Sequence, residues 1–120
     1  MFVKNKGDFQ LKFAENGCLT AKMIENVSSD YAAMYNRLDA GKSSNEHMHE
    51  DCDELYYVID GCGLLKVGKE TKKIKTGDLI VIPKGEFHFL TNEGDTSVEF
   101  LTIGFTGDLY SGWKWFNGNK

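Results

Sequence analysis

The sequence has a single proline, a single arginine and no aliphatic run longer than Leu79-Ile80-Val81-Ile82. A membrane-crossing helix needs about 20 consecutive apolar residues, so no such helix is expected. Residues Met1 to Gln10 mix polar and apolar side chains without a hydrophobic block, so no signal peptide is expected and the expected location is cytoplasmic. Cysteine is scarce and odd in number. Cys18, Cys52 and Cys62 contain no Cys-x-x-Cys pair, which argues against a disulfide framework. Positive charge is in deficit, with 14 Lys and Arg against 18 Asp and Glu and a net charge of −4. That balance argues against nucleic acid or an anionic membrane as a partner. The one basic concentration, Lys69, Lys72, Lys73 and Lys75, falls across a hairpin, where lysines solvate an edge strand and discourage aggregation. Helix signals are weak too. Only the opening stretch and the Gly107–Lys120 tail are open to a turn or two.

What is abundant is short β-forming runs. The 120 residues are 41% hydrophobic and 12% aromatic, enough for one packed core, so residues 1–120 are read as a single domain. Thirteen glycines help to bound runs rich in β-branched and aromatic residues: Leu19–Ile24, Tyr31–Leu38, Leu55–Ile59, Leu64–Val67, Leu79–Ile82, Phe87–Thr91 and Val98–Phe105. Val67-Gly68-Lys69-Glu70 reads as a tight hairpin and Asn92–Asp95 as a longer turn. Evenly spaced short strands in a small chain imply a sandwich or barrel.

The chemistry-bearing residues are few. All three histidines, His47, His49 and His88, sit in β-like surroundings. On a helix, side chains two apart diverge; on a strand they share a face about 6.6 Å apart along the backbone. The strand reading of His47-Met48-His49 lets both imidazoles converge on one ion. Glu54 follows after the acidic, polar turn Glu50–Asp53 and opens the next strand, from which it can face back toward the histidines. His88 stands in the apolar alternation Phe87-His88-Phe89-Leu90. Three imidazoles and a carboxylate suit Fe(II), Mn, Ni, Co, Cu or Zn. An octahedral ion would keep two positions for water, substrate or dioxygen, whereas tetrahedral zinc would be nearly closed.

The spacing of these residues resembles the cupin family. Gly41, five residues, His47-Met48-His49, four residues, Glu54, six residues and Gly61 match its first motif. Gly77, five residues, Pro83-Lys84-Gly85, two residues, His88, three residues and Asn92 match its second, with fifteen residues between the two. The resemblance implies an all-β, cupin-type double-stranded β-helix, or jelly-roll barrel, with metal ligands in segments 41–61 and 77–92. The glycines, Pro83 and Asn92 are assigned to turns. The resemblance does not specify a reaction, because one barrel of this kind hosts isomerases, lyases, dioxygenases, epimerases, decarboxylases and non-catalytic sugar binders.

Further expectations follow by residue. Tyr56 shares parity with Glu54, so its phenol should point into the barrel and serve in proton transfer if its pKa is lowered. Tyr57 should face away, into packing. Arg37, the lone arginine against thirteen lysines, is a candidate for clamping a substrate carboxylate. Cys52 is read as a solvated turn thiol. Trp113, Trp115 and Phe116 are expected to pack on the barrel or on a second copy in a homodimer. The leading functional expectation is metal-dependent isomerase or lyase chemistry on a small oxygen-rich metabolite such as a sugar acid or keto acid. An Fe(II) dioxygenase and a non-catalytic binder of sugars or small ligands are the alternatives.

Overall fold

The computed structural model describes residues 1–25, 27–105 and, for the backbone, 113–115. Eleven strands are assigned: β1 (Lys12–Phe13), β2 (Leu19–Lys22), β3 (Ala32–Leu38), β4 (His47–His49), β5 (Glu54–Asp60), β6 (Cys62–Val67), β7 (Glu70–Lys75), β8 (Leu79–Ile82), β9 (His88–Thr91), β10 (Val98–Gly104) and β11 (Trp113–Trp115). One turn of 3-10 helix, Lys6–Asp8, capped by Asn5, is the helix described near the N-terminus. The strands form two antiparallel sheets, a six-stranded one in the order β1-β2-β3-β10-β5-β8 and a five-stranded one in the order β11-β4-β9-β6-β7.

Alternation decides which side chains meet between the sheets. Along β5, Glu54, Tyr56 and Val58 are buried while Tyr57 and Ile59 are exposed. On β10, Val98, Phe100 and Thr102 are buried and the residues between them half-buried. With Leu38, Leu65, Ile82 and Leu90, the inward Tyr56, Val58, Val98 and Phe100 form the core, whose burial is the main favourable contribution to folding. Tyr57 faces away from the interior, but toward solvent and not into packing.

The turns do as their sequences require. In the β6–β7 hairpin Val67 pairs with Glu70, leaving Gly68-Lys69 as a two-residue loop. Gly68 has φ +59°, the left-handed value such a loop needs. At Gly61 the chain passes from one sheet to the other with φ +97°, and a Cβ there would lie 2.7 Å from the Ser97 carbonyl oxygen. Asn92 is buried; its side-chain amide donates to the Leu38 and Thr96 carbonyls at 3.0 and 2.8 Å and its oxygen accepts from Gly94 N–H at 3.0 Å. It staples a turn, as its motif position implied.

Lysine-rich β7 lies at the edge of the five-stranded sheet, as the hairpin reading expects, and Ile74 is its one buried side chain. Two features depart from the sequence reading. β1 is only two residues long and pairs with β2. The tail is open to helix by sequence, yet residues 113–115 form β11 and pair with β4, Trp113 with His49 and Trp115 with His47. The backbone there packs on the chain's own barrel. Phe116 lies outside the described residues.

Candidate metal centre

Strand geometry brings the histidines together. On β4 both His47 and His49 are buried, with half-buried Met48 between them facing the other way. Their ring centroids lie 5.4 Å apart. β9 runs antiparallel to β4 with His88 directly opposite His47, centroid to centroid 4.5 Å. Glu54 comes from the opposite sheet, at the start of β5. The turn after His49 is closed around Asp53, whose carboxylate accepts from Lys84 N–H at 2.8 Å, while Gly85 N–H donates to the His49 carbonyl at 2.8 Å. The Pro83–Gly85 turn thus ties β8 to the histidine strand.

Donor atoms of His47, His49 and Glu54 all lie within 4.8 Å of one another, and these residues form a group able to hold a metal ion. Glu54 Oε1 is 3.5 Å from His49 Nε2 and 3.1 Å from His88 Nε2. All four side chains are buried, at 1–3% exposure. His47 Nδ1 lies 2.8 Å from the Asn45 carbonyl and His88 Nδ1 3.0 Å from the Glu86 carbonyl. A carbonyl only accepts, so each Nδ1 carries the ring proton and each Nε2 is left with its lone pair toward the interior. His88 Nε2 makes no hydrogen bond of acceptable geometry despite its approach to the carboxylate. A buried lone pair facing a carboxylate oxygen is repulsive unless a proton or a metal ion lies between them. The donor set, imidazole nitrogens and a carboxylate converging in one buried space, fits a transition-metal ion.

The charges agree. Burial and neighbouring His88 push His47 down to about 4, against the pull of the Asn45 carbonyl, so it is a neutral imidazole at pH 7. Burial works against ionising Glu54, but His88 and the other two imidazoles outweigh it and hold the carboxyl below its usual range. Burial pulls His88 down, and the Glu54 carboxylate overrides it and holds the imidazole above its usual range.

Residues 34–104 match the model of the Cupin domain family. The chain belongs to the cupin family. Over 85 residues it is 33% identical to an oxalate-binding protein from Thermotoga maritima, covering 71% of this chain and 69% of that one. Over 64 residues it is 34% identical to an acireductone dioxygenase from Puccinia graminis f. sp. tritici, covering 48% of this chain and 35% of that one. A crystal structure described as a predicted oxalate decarboxylase from Thermotoga maritima superimposes with a TM-score of 0.80 at 24% identity, covering 88% of this chain and 99% of that one.

The remaining candidates of this cupin fall into different places. Tyr56 is buried on the inner face, edge-on to His88 with centroids 6.0 Å apart and tilted on Phe100 at 4.9 Å. Burial first, then the Glu54 carboxylate and the Cys18 thiol, drive its pKa well above the ordinary phenol value. That is opposite to the lowering expected. The phenol stays protonated at neutral pH, so it offers a hydrogen-bond donor. Arg37 is not brought to the histidines. Its neighbours Asn36 and Leu38 turn inward, while the half-exposed Arg37 pairs in register with Glu99 and lies 3.4 Å from Asp39 Oδ1. Cys52 is buried, not solvated, and is outside the metal group. The sequence reading missed Asn36 and Thr102. Asn36 Nδ2 donates to Thr102 Oγ1 at 2.8 Å, and Thr102 faces Tyr56 across β10 and β5. Both are buried. A polar Asn at an inward position of an otherwise apolar strand was the available signal.

Proposed function

We propose that this cupin is a metal-dependent enzyme acting on a small oxygen-rich metabolite, such as a sugar acid or keto acid, by isomerase- or lyase-type chemistry. The ion would be a divalent transition metal (Fe, Mn, Ni, Co, Cu or Zn) held by His47, His49, Glu54 and His88. The observation that carries the reading is the buried convergence of these four donors, with the Nδ1 atoms of His47 and His88 committed to carbonyls. When bound, the metal supplies Lewis acidity toward substrate oxygens. The chain does the rest. The Asn45 and Glu86 carbonyls fix the imidazole orientations, and the single anionic ligand, Glu54, leaves net positive charge to attract an anionic substrate. Val58, Ile82 and Leu90 keep the interior dry, which strengthens those interactions. Tyr56 donates its phenolic proton, or a hydrogen bond, to charge that develops on the substrate.

The relative named for oxalate binding favours a small anion and also favours a purely binding role. The relatives named as acireductone dioxygenases favour oxygen chemistry at Fe(II). Three cysteines, odd in number and without a Cys-x-x-Cys pair, favour a reducing compartment, the cytoplasm. Elemental analysis of gently purified protein comes first, followed by calorimetric titration and turnover assays with oxalate, pyruvate and uronic acids. Binding with turnover and no oxygen uptake supports the proposal. Iron with oxygen uptake replaces it by a dioxygenase, and tight binding without turnover by a binding protein.

A further inference from the structure

Asn16-Gly17 turns the chain between β1 and β2, and it does more than close that hairpin. Phe13 pairs with Leu19, leaving residues 14–18 as the loop. Gly17 sits at φ +86°, in the left-handed region that glycine tolerates. The buried Asn16 side chain accepts from Cys18 N–H at 3.0 Å, the local bond that suits asparagine to turns. Gly17 N–H donates to the Ala14 carbonyl and Ala14 N–H to the Cys18 carbonyl, both at 3.0 Å. These bonds stiffen the loop and use neither the Glu15 nor the Asn16 carbonyl. Both of those carbonyls reach Asn45, two residues before His47. Asn16 O accepts from Asn45 N–H at 2.7 Å, and Glu15 O accepts from Asn45 Nδ2 at 2.7 Å. A carbonyl only accepts, so the orientation of the Asn45 amide is forced. The approach is close: a Cβ on Gly17 would lie 3.3 Å from Asn45 N and 3.4 Å from Ser44 Cα.

We infer that the β1–β2 loop positions the His47 ring for the metal centre, with Asn45 as the link and Glu15, Asn16 and Gly17 as positioning residues. The Asn45 carbonyl that accepts from His47 Nδ1 at 2.8 Å belongs to a residue tied by both its N–H and its side chain. Peptide planarity then leaves one soft torsion, ψ of residue 45, ahead of that carbonyl, and the start of β4 two residues later restrains it. If the loop releases Asn45, His47 Nδ1 loses its fixed acceptor. The ring can then exchange tautomers, and the Nε2 lone pair is no longer held toward Glu54 and His49. His88 is held differently. Its acceptor, the Glu86 carbonyl, belongs to a turn closed on itself by Glu86 N–H donating to the Pro83 carbonyl at 3.3 Å. The 14–18 loop instead comes from the six-stranded sheet to steady a strand of the five-stranded one. It also lies outside residues 34–104, which carry the family match, so that match gives it no part in the site. The consequence for the metal rests on the reading of His47 as one of its ligands.

The test compares the wild-type chain with Asn45→Ala, which removes the Nδ2 bond, and Gly17→Ala, which sets a methyl group against the Asn45 amide. Asn45 is exposed, so its truncation leaves the core intact. Gly77→Ala is the control for backbone strain, because φ there is +91° but a Cβ would meet nothing within 4 Å. Two readouts are taken at pH 7. One is Co(II) affinity by competition with a chromophoric chelator. The other is ring-nitrogen NMR of His47 in the metal-free protein, which reports the tautomer and which a loss of stability alone does not move. Wild type should show His47 protonated on Nδ1. Asn45→Ala and Gly17→Ala should each lower Co(II) affinity by about 10–100-fold, the scale for an outer partner of a ligand, and move the His47 signals toward a mixture of tautomers. Gly77→Ala should stay within about threefold of wild type, with the His47 signals unchanged. Wild-type His47 signals and affinity in both loop variants overturn the inference, and so does an equal loss in Gly77→Ala. If the wild-type chain took up no Co(II), the metal reading would fall and the nitrogen signals alone would decide whether the loop positions the ring.

Discussion

Replacing Glu54 by Gln keeps the shape of the site and removes its only negative charge. In the native chain the carboxylate stands 3.1 Å from His88 Nε2 and 3.5 Å from His49 Nε2, at 3% exposure. The amide still presents an oxygen to an ion, but a neutral one. Loss of a partner one shell further out costs about 10–100-fold in metal affinity, so loss of the charge on a direct ligand should cost at least ~10²-fold, about 2.7 kcal/mol. Competition against a chromophoric chelator with Co(II) or Zn(II) measures it. The pH dependence gives a second readout. In the metal-free native protein His88 is held above its ordinary value by Glu54, so metal must displace a proton there, and apparent affinity should rise with pH through the neutral range. In Glu54→Gln the carboxylate's upward pull is lost and burial is opposed only by the Glu86 carbonyl and Glu46, so His88 should fall and that rise should move to more acid pH. An affinity within about threefold of wild type, with an unmoved pH profile, would refute the assignment of Glu54.

Tyr56→Phe should lower turnover by ~10²–10⁴-fold once a substrate is found, with metal content unchanged, and Tyr57→Phe should be nearly silent; wild-type turnover in Tyr56→Phe removes the phenol from the mechanism. Gly61→Ala should destabilise the fold by about 2–4 kcal/mol, because an L-residue at φ +97° is strained and its Cβ would meet Ser97 O at 2.7 Å; urea denaturation showing a change below ~1 kcal/mol would contradict that. Burial pushes Cys18 from 9.0 up to about 12, so its thiol stays neutral in the native state and ionises more readily when unfolded. Stability from this group is therefore complete below pH ~9 and declines as pH rises from there toward 12. Ellman titration of native protein should count exposed Cys62 alone, and all three thiols in denaturant; fast reaction of a second native thiol would count against the burial.

The inner-face parity of the site is legible in the sequence. The His-x-His strand, the inward Glu54 and Tyr56, and the turn role of Asn92 follow from period-two alternation and from residues with one conformational use. Other features are not. β7 carries polar or charged residues around Ile74, and its pairing is imposed by β6 across the Gly68 turn more than by its own apolar pattern. Arg37 follows a run, 32–36, buried at every position, so alternation gives no parity there until Asn36 and Leu38 are placed inside. The direction of the Tyr56 shift depends on how much water reaches the phenol and on the approach of Cys18 from a distant segment, neither of which is encoded in local spacing. The same holds for the outer face of β8: the apolarity of Leu79 and Val81 is in the sequence, but their exposure is tertiary.

One ion at four named donors is the assignment on which the rest depends. Anomalous diffraction from crystals grown with Co(II), collected on both sides of the cobalt edge, tests it most directly. The expected result is a single peak per chain within about 2.0–2.3 Å of His47 Nε2, His49, His88 Nε2 and a Glu54 carboxylate oxygen. A peak elsewhere, or none in the space between these four side chains in well-ordered crystals, would contradict it.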